Sequence, residues 1–391
     1  RIAATSRELD ARLQCTLERT PELVLPLEEL RAGFGLSATE LDLLVAVCAY
    51  QQGPELARAF AVCWVDFAQR EPVAGFLAEL VADLELDYDH ALLLLAERAP
   101  LRAYRLLVPT AARGLANDAP RAQLGLQVPQ RIVDFVCGVE LGESPLPGCR
   151  LARADDAMAA ALVLDDDVRQ RLVVALSRSR TRVALQGPPG AGRRTTALCL
   201  SRKLSRCLLE VQLAPILRSP SVDAAQQRLA EFLREGRLHQ AALLLRVDES
   251  PDEGQKALLD AAAPSLRAQL AGYPGAIFVS ISAPSPIVAA LFETVPVFEL
   301  GRPSAEAQRR LWMRALTNVL GEHAATPLAA SLSATYRLTP GAIHRAVASA
   351  QSNTPKRKAR LDAAELVRAI RQQFDHRLGW LAEIVQIDTT L

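Results

Sequence analysis

The chain has 391 residues, half of them hydrophobic and 23% charged, with a net charge of +1, enough for two or three domains with sizeable cores. It contains no uncharged apolar run of about 18 residues, so no membrane span is read, and no secretory signal opens it. The charge is uneven: residues 1–137 hold thirteen Arg, no Lys and nineteen acids, a net −6, and the remainder carries +7, so two modules are expected. Arg1 rather than Met stands first, and the expectation is a trimmed fragment. The seven cysteines form no C-x-x-C pair and fit free thiols in a reducing, cytoplasmic compartment.

In chain order, residues 1–137 read as mostly helical, beginning with a short helix over 27–32. Ser37-Ala-Thr-Glu40 is a capping box opening an apolar helix through Leu43, Leu44 and Val47. Further helical patterns cover 54–69, 72–83 and 87–98. The period then changes: Ala103–Pro109 and Gln123–Pro129 predict two short strands joined by a polar loop, and a helix follows from Gln130. Helices followed by a hairpin predict a winged-helix-like domain. Phosphate neutralisation dominates nucleic-acid affinity and needs clustered Lys and Arg. This acidic region therefore reads as a protein-docking or structural domain rather than a DNA binder.

Residues 138–152, with two Pro and three Gly, predict a linker. Strand and helix then alternate. Strands are predicted at Arg182–Gln186, Cys207–Leu213, Ala241–Val247, Ala276–Ser282 and Val295–Leu300, with helices from Arg193 and over 221–236 and 253–271. This pattern means a parallel sheet covered by helices over 153–303. Helices at 304–320, 325–335, 340–351 and 361–373 form a small helical domain, 304–375, and 376–391 reads as a linker.

The strongest motif is Gly187-Pro188-Pro189-Gly190-Ala191-Gly192-Arg193-Arg194-Thr195, set between a strand and a helix. Glycines let backbone N–H groups wrap phosphates at a helix N-terminus. The full pattern then needs Lys for the phosphates and Ser or Thr for magnesium, and those positions hold Arg193 and Arg194. A hydroxyl comes only at Thr195, about 100° further round the helix. Two unit charges 4 Å apart repel by about 4 kcal/mol at an effective dielectric near 20, and a divalent ion roughly doubles this. Mg2+ is therefore not expected here, while two arginines can neutralise phosphates of ATP or ADP themselves. The apolar strand ending in Asp248-Glu249 supplies a carboxylate for a metal, should magnesium bind, and a base to polarise water. Glu249 is then the catalytic candidate, vestigial beside the altered loop. Ser280 to Ser282 end the next strand within reach of a γ-phosphate, and Pro340-Gly-Ala-Ile-His344-Arg345 opens a lid helix whose basic side chains can fold over a nucleotide. Plain strand-end serines and an exposed basic helix face fit the last two patterns equally well.

Together these residues resemble the AAA+ ATPase family over about 155–375. The resemblance implies a P-loop NTPase α/β fold with a 5-1-4-3-2 sheet and a helical lid, and assembly into a ring, commonly a hexamer. The chain departs from the family at Arg193 and Arg194. It has no arginine between Gly275 and Leu300, where the family puts its trans-acting finger, and it carries His344 with adjacent Arg345 at the lid arginine position. Phe34-Gly-Leu-Ser-Ala-Thr-Glu-Leu-Asp-Leu-Leu, Glu71-Pro-Val-Ala-Gly and Arg131-Ile-Val-Asp-Phe resemble the front end of bacterial tandem AAA+ ATPases that accompany contractile injection systems.

The expectation is a degenerate nucleotide-binding and assembly module of a protein-remodelling ATPase, with weak or no hydrolysis and an unknown protein client. One alternative is a scaffold that binds no nucleotide. The other is a nucleic-acid-associated ATPase using Lys356-Arg-Lys-Ala-Arg360, a run that also fits a solvated linker. The apolar stretch at 377–391 resembles the link into a second module, and a complete phosphate loop is expected beyond Leu391.

Overall fold

The computed structural model describes residues 11–12, 15–16, 18–20, 25–63, 71–82, 86–110, 120–139, 146–177, 180–247, 251–353 and 363–378. They divide into two compact units, residues 1–147 with 226–240, and residues 148–225 with 241–391. The 64–69 end of one expected helix, the loop 111–119, the linker positions 140–145, Asp248 and Glu249, the basic run Lys356–Arg360 and residues 379–391 lie outside the described residues.

The first unit begins with α1 (Pro26–Phe34), stopped by Gly35 at φ +66°, a conformation that favours glycine. Next comes α2 (Ala38–Gln52), opened by the capping box: Glu40 N–H donates to Ser37 Oγ, and Ser37 N–H to the Glu40 carboxylate. A cap of this kind contributes about 1 kcal/mol. Then follow α3 (Pro54–Cys63), α4 (Ala74–Val81), α5 (Tyr88–Leu93) and α6 (Pro100–Ala103). Strands β1 (Val108–Pro109) and β2 (Leu126–Gln127) pair antiparallel, and α7 (Gln130–Val136) closes the series.

The first expected strand is shorter than its pattern. After α6 the backbone turns at Arg105, φ +56°, and the N–H groups of Leu106 and Leu107 both donate to Leu101 O. Two successive leucines are thereby buried, which strand alternation with one buried face does not allow. The hairpin is tied to α2 by Gln51, whose amide bonds both Val128 N and Val128 O.

Helix α12 (Val222–Leu238) counts with this unit from Gln226 onward. Arg131 donates from Nε and Nη2 to Glu235 Oε2 at 2.9 and 2.7 Å, with Glu235 fully buried. Arg234 bonds Arg105 O, and the Arg237 guanidinium lies 4.2 Å from the Tyr104 ring centroid. Chain order alone places these residues among the strands and helices that follow the phosphate loop.

The second unit is built on a six-stranded sheet. Its strands are β3 (Cys149–Ala152), β4 (Arg182–Gln186), β5 (Leu208–Gln212), β6 (Ala242–Val247), β7 (Ile277–Ile281) and β8 (Val297–Glu299). The order is β3-β5-β6-β7-β4-β8. Numbering the five parallel strands from β4, this is the 5-1-4-3-2 sheet of an AAA+ module. Strand β3 is an addition: the last four residues of the expected linker pair antiparallel to β5 along its free edge. Strands β5, β6 and β7 are buried almost throughout, as expected of a parallel sheet covered on both faces.

The remaining helices of the sheet layer are α8 (Asp156–Ala161), α9 (Asp166–Leu176), α10 (Arg193–Lys203), α11 (Ala214–Leu217), α13 (Glu253–Ala271) and α14 (Pro286–Leu291). The lid comprises α15 (Ala305–Leu320), α16 (Glu322–Thr335), α17 (Pro340–Asn353) and α18 (Ala363–Leu378) around a core centred on buried Trp312. Among the described residues, no helix is long and apolar enough to cross a membrane.

Candidate functional site

The site is assembled where β4 gives way to α10. Gly187 N–H donates to Ile281 O, locking the loop's first residue to the end of β7. A Cβ on Gly187 would fall 2.2 Å from Leu300 O, so only glycine passes between the strand ends. Pro188 and Pro189 lead into a tight turn in which Ala191 N–H donates to Pro188 O. Gly190 (φ +84°) and Gly192 (φ +93°) both adopt the left-handed region. Alternating left-handed glycines turn successive N–H groups toward one concavity, and the first four N–H groups of α10 have no intrahelical acceptor. The helix dipole adds a partial positive charge there, and no acid sits in the first turn. The backbone cradle for an anion is intact.

Two arginines and a threonine follow the last glycine of the loop. Arg193 is half-buried at the first helical position. Arg194 points to Glu210 in the middle of β5, with Nε and Nη2 at 2.7 and 2.6 Å from Oε1. Its side chain is 46% exposed and that of Glu210 only 8%. The hydrogen bond to Glu210 pushes the Arg194 pKa further up, so the guanidinium stays charged. Thr195 is half-buried one residue further along the helix.

Ser280 is buried within β7, whereas Ser282 is exposed just past its end, where the Gln186–Ile281 register sets it level with Gly187. Strand β6, which leads to Asp248 and Glu249, lies between β5 and β7. Among the described residues no cluster of three or more His, Cys, Asp or Glu could hold a metal.

The lid reaches the loop through its backbone. Gly341 N–H donates to Gly190 O at 2.8 Å. A Cβ on Gly341 would meet Gly190 Cα at 2.9 Å, and one on Gly190 would meet Thr339 Oγ1 at 2.9 Å. His344 and Arg345 are both exposed. Arg345 Nη1 comes within 3.4 Å of the position a Gly341 Cβ would take, one turn earlier on the same helix. Sequence reasoning missed Glu210 and the Gly190–Gly341 contact. The one signal for Glu210 was a single acid inside an otherwise apolar strand, Leu208-Leu-Glu-Val211.

The sheet order, the strand–loop–helix and the helical lid define an AAA+ module, preceded in the chain by a helix-and-hairpin domain. Residues 1–145 match a family model described as winged helix domain, variant. Residues 304–376 match one described as contractile injection system ATPase helical domain. Over these two ranges the chain is similar to a winged helix domain and to the helical domain of contractile injection system ATPases.

No curated protein matches the sequence. Among solved structures the chain is similar to a chain of the HORMA:CdnC:Trip13 complex of E. coli MS115-1, at 17% identity over 57% of this chain and 94% of that one, TM-score 0.41. It is also similar to PCH-2 of C. elegans, at 16% identity over 59% and 76%, TM-score 0.43. A third similar structure is the FIGL-1 AAA domain, at 14% identity over 59% and 90%, TM-score 0.42.

Proposed function

We infer that this chain is the degenerate AAA+ module of a protein-remodelling ATPase of the contractile-injection-system kind, kept for assembly into a ring and for holding nucleotide phosphate without magnesium. The observation that carries the reading is Arg194, which stands where a magnesium-binding hydroxyl belongs and is tied to Glu210. Without that hydroxyl the metal loses a ligand, and hydrolysis loses the ion that gathers charge on the transferred phosphoryl group. The glycine nest, the start of α10 and Arg193 still favour an anion. Binding is therefore carried by backbone N–H groups and guanidinium. Glu249 acts on no water at a rate that matters, and the seven free cysteines support a reducing compartment.

Calorimetric titration of ADP and ATP into the purified chain, with magnesium and then with EDTA, tests the reading. The expected result is a dissociation constant unchanged within about twofold on chelation, and ATP turnover at background both before and after Glu249→Gln. Affinity that collapses in EDTA, or magnesium-dependent turnover abolished by Glu249→Gln, would overturn it. The Gly341–Gly190 hydrogen bond favours a second reading, a scaffold whose lid rests on an empty loop. Complete absence of nucleotide binding in the same titration selects it.

A further inference from the structure

Glu210 occupies a costly position. It sits at the centre of β5 between Leu208, Leu209 and Val211, all buried and apolar, and is itself 8% exposed. A carboxylate so placed is strongly unfavourable unless a cation meets it. That cation is Arg194, whose Nε donates to Oε1 while Nη2 lies 2.6 Å from the same oxygen. Arg194 is the second residue of α10, inside the turn whose backbone N–H groups form the anion nest. With 46% of its side chain exposed, it can leave Glu210 by rotation without repacking the core. Arg150 stands opposite Glu210 in the β3–β5 register, and directly opposed residues share a face of a sheet. A second guanidinium thus remains on that face when Arg194 departs. Two anions compete for one arginine: the fixed carboxylate and any phosphate held in the nest.

We propose that Glu210 is a positioning residue that holds Arg194 away from the phosphate nest, setting the loop's affinity for nucleotide phosphate and making phosphate entry the event that breaks the ion pair. The assignment rests on the reading that the nest takes phosphate without magnesium. It accounts for a loop that keeps its phosphate geometry beside a guanidinium already neutralised from within the sheet. Phosphate that enters must displace a carboxylate before it gains the guanidinium, and Glu210→Gln removes that competitor.

The test is titration of ADP in EDTA against the whole chain and three variants, Glu210→Gln, Arg194→Ala and the double variant, with circular dichroism melts to verify folding. Glu210→Gln is expected to bind about tenfold tighter, the effect of one added charge-assisted hydrogen bond between guanidinium and phosphate. Arg194→Ala binds no tighter than the parent, and the double variant shows none of the Glu210→Gln tightening. A merely structural role for Glu210 would not make its effect depend on Arg194. The proposal is overturned if Glu210→Gln, folded like the parent, binds no tighter either in EDTA or in a repeat titration with magnesium, or if the double variant keeps the tighter binding. Tightening seen only with magnesium present sinks the metal-free reading and leaves Glu210 in its role. No ADP binding by any protein sinks both. Should Glu210→Gln fail to fold, Glu210→Asp, which draws the carboxylate back from Arg194, must still tighten ADP binding by about threefold, and no change in it also overturns the proposal.

Discussion

Replacing Arg131 by Met asks how the second half of α12 is held in the first unit. Glu235 is fully buried, and Arg131 approaches its Oε2 at 2.7 Å, while Arg234 and His239 stand further away at 3.7 and 3.9 Å. Met retains much of the aliphatic volume and removes the guanidinium, so the loss reports on charge. Breaking a buried ion pair from one side costs about 3–5 kcal/mol, and the longer contact to Arg234 reduces this to about 2–4 kcal/mol. At about 2–4 °C per kcal/mol for a unit of this size, melting falls by about 5–15 °C. Glu235→Leu added to Arg131→Met removes both charges and recovers more than half of the loss. Urea titration with hydrogen–deuterium exchange read across residues 226–240 measures the effect where it arises. Exchange and melting unchanged in Arg131→Met would refute the reasoning, because a fully buried carboxylate that loses its nearest cation cannot be neutral to stability.

Three further outcomes follow from the geometry. Arg194→Thr removes the cation nearest Glu210 and lowers stability by about 1–3 kcal/mol, the partial exposure of Arg194 trimming the full buried-pair cost. Adding Glu210→Gln restores it, and an Arg194→Thr protein as stable as the parent in urea would count against the pairing. Gly341→Ala drives a Cβ to 2.9 Å from Gly190 Cα and 3.1 Å from Gly190 O. That overpacking costs about 1–3 kcal/mol and should speed amide exchange over residues 340–345, so an unchanged exchange profile would contradict the lid contact. Burial pushes the Cys48 thiol from 9.0 up to about 11. Its neutral form is therefore favoured by folding, and the stability it contributes is complete below pH 9 and lost as pH rises through 11. A thiol reagent at pH 8 should label the exposed Cys15, Cys63 and Cys137 and leave Cys48 until the chain unfolds. Equal labelling rates would rule this out.

Much of the second unit was legible in the residues because its signals are local. Strands β4 to β8 are short apolar runs bounded by turns, α13 begins at the Asp252 cap, and the Gly187–Thr195 spacing marks the loop without any tertiary contact. Ser37 and Glu40 announced their helix in the same way, because a capping box is complete within four residues. What the sequence could not determine depends on residues far apart along the chain. Leu106 and Leu107 are strand-like until α6 turns them both into a core. Cys149–Ala152 has linker composition until β5 offers it an edge. The allegiance of α12 is decided by Arg131, more than a hundred positions away from Glu235. The pair Arg193 and Arg194 after the glycines was plain in the sequence. That Arg194 turns to Glu210, and that Gly341 rests on Gly190, required the sheet and lid to be folded, because neither a buried carboxylate's need for a cation nor a backbone close approach has a partner until the chain supplies one in space.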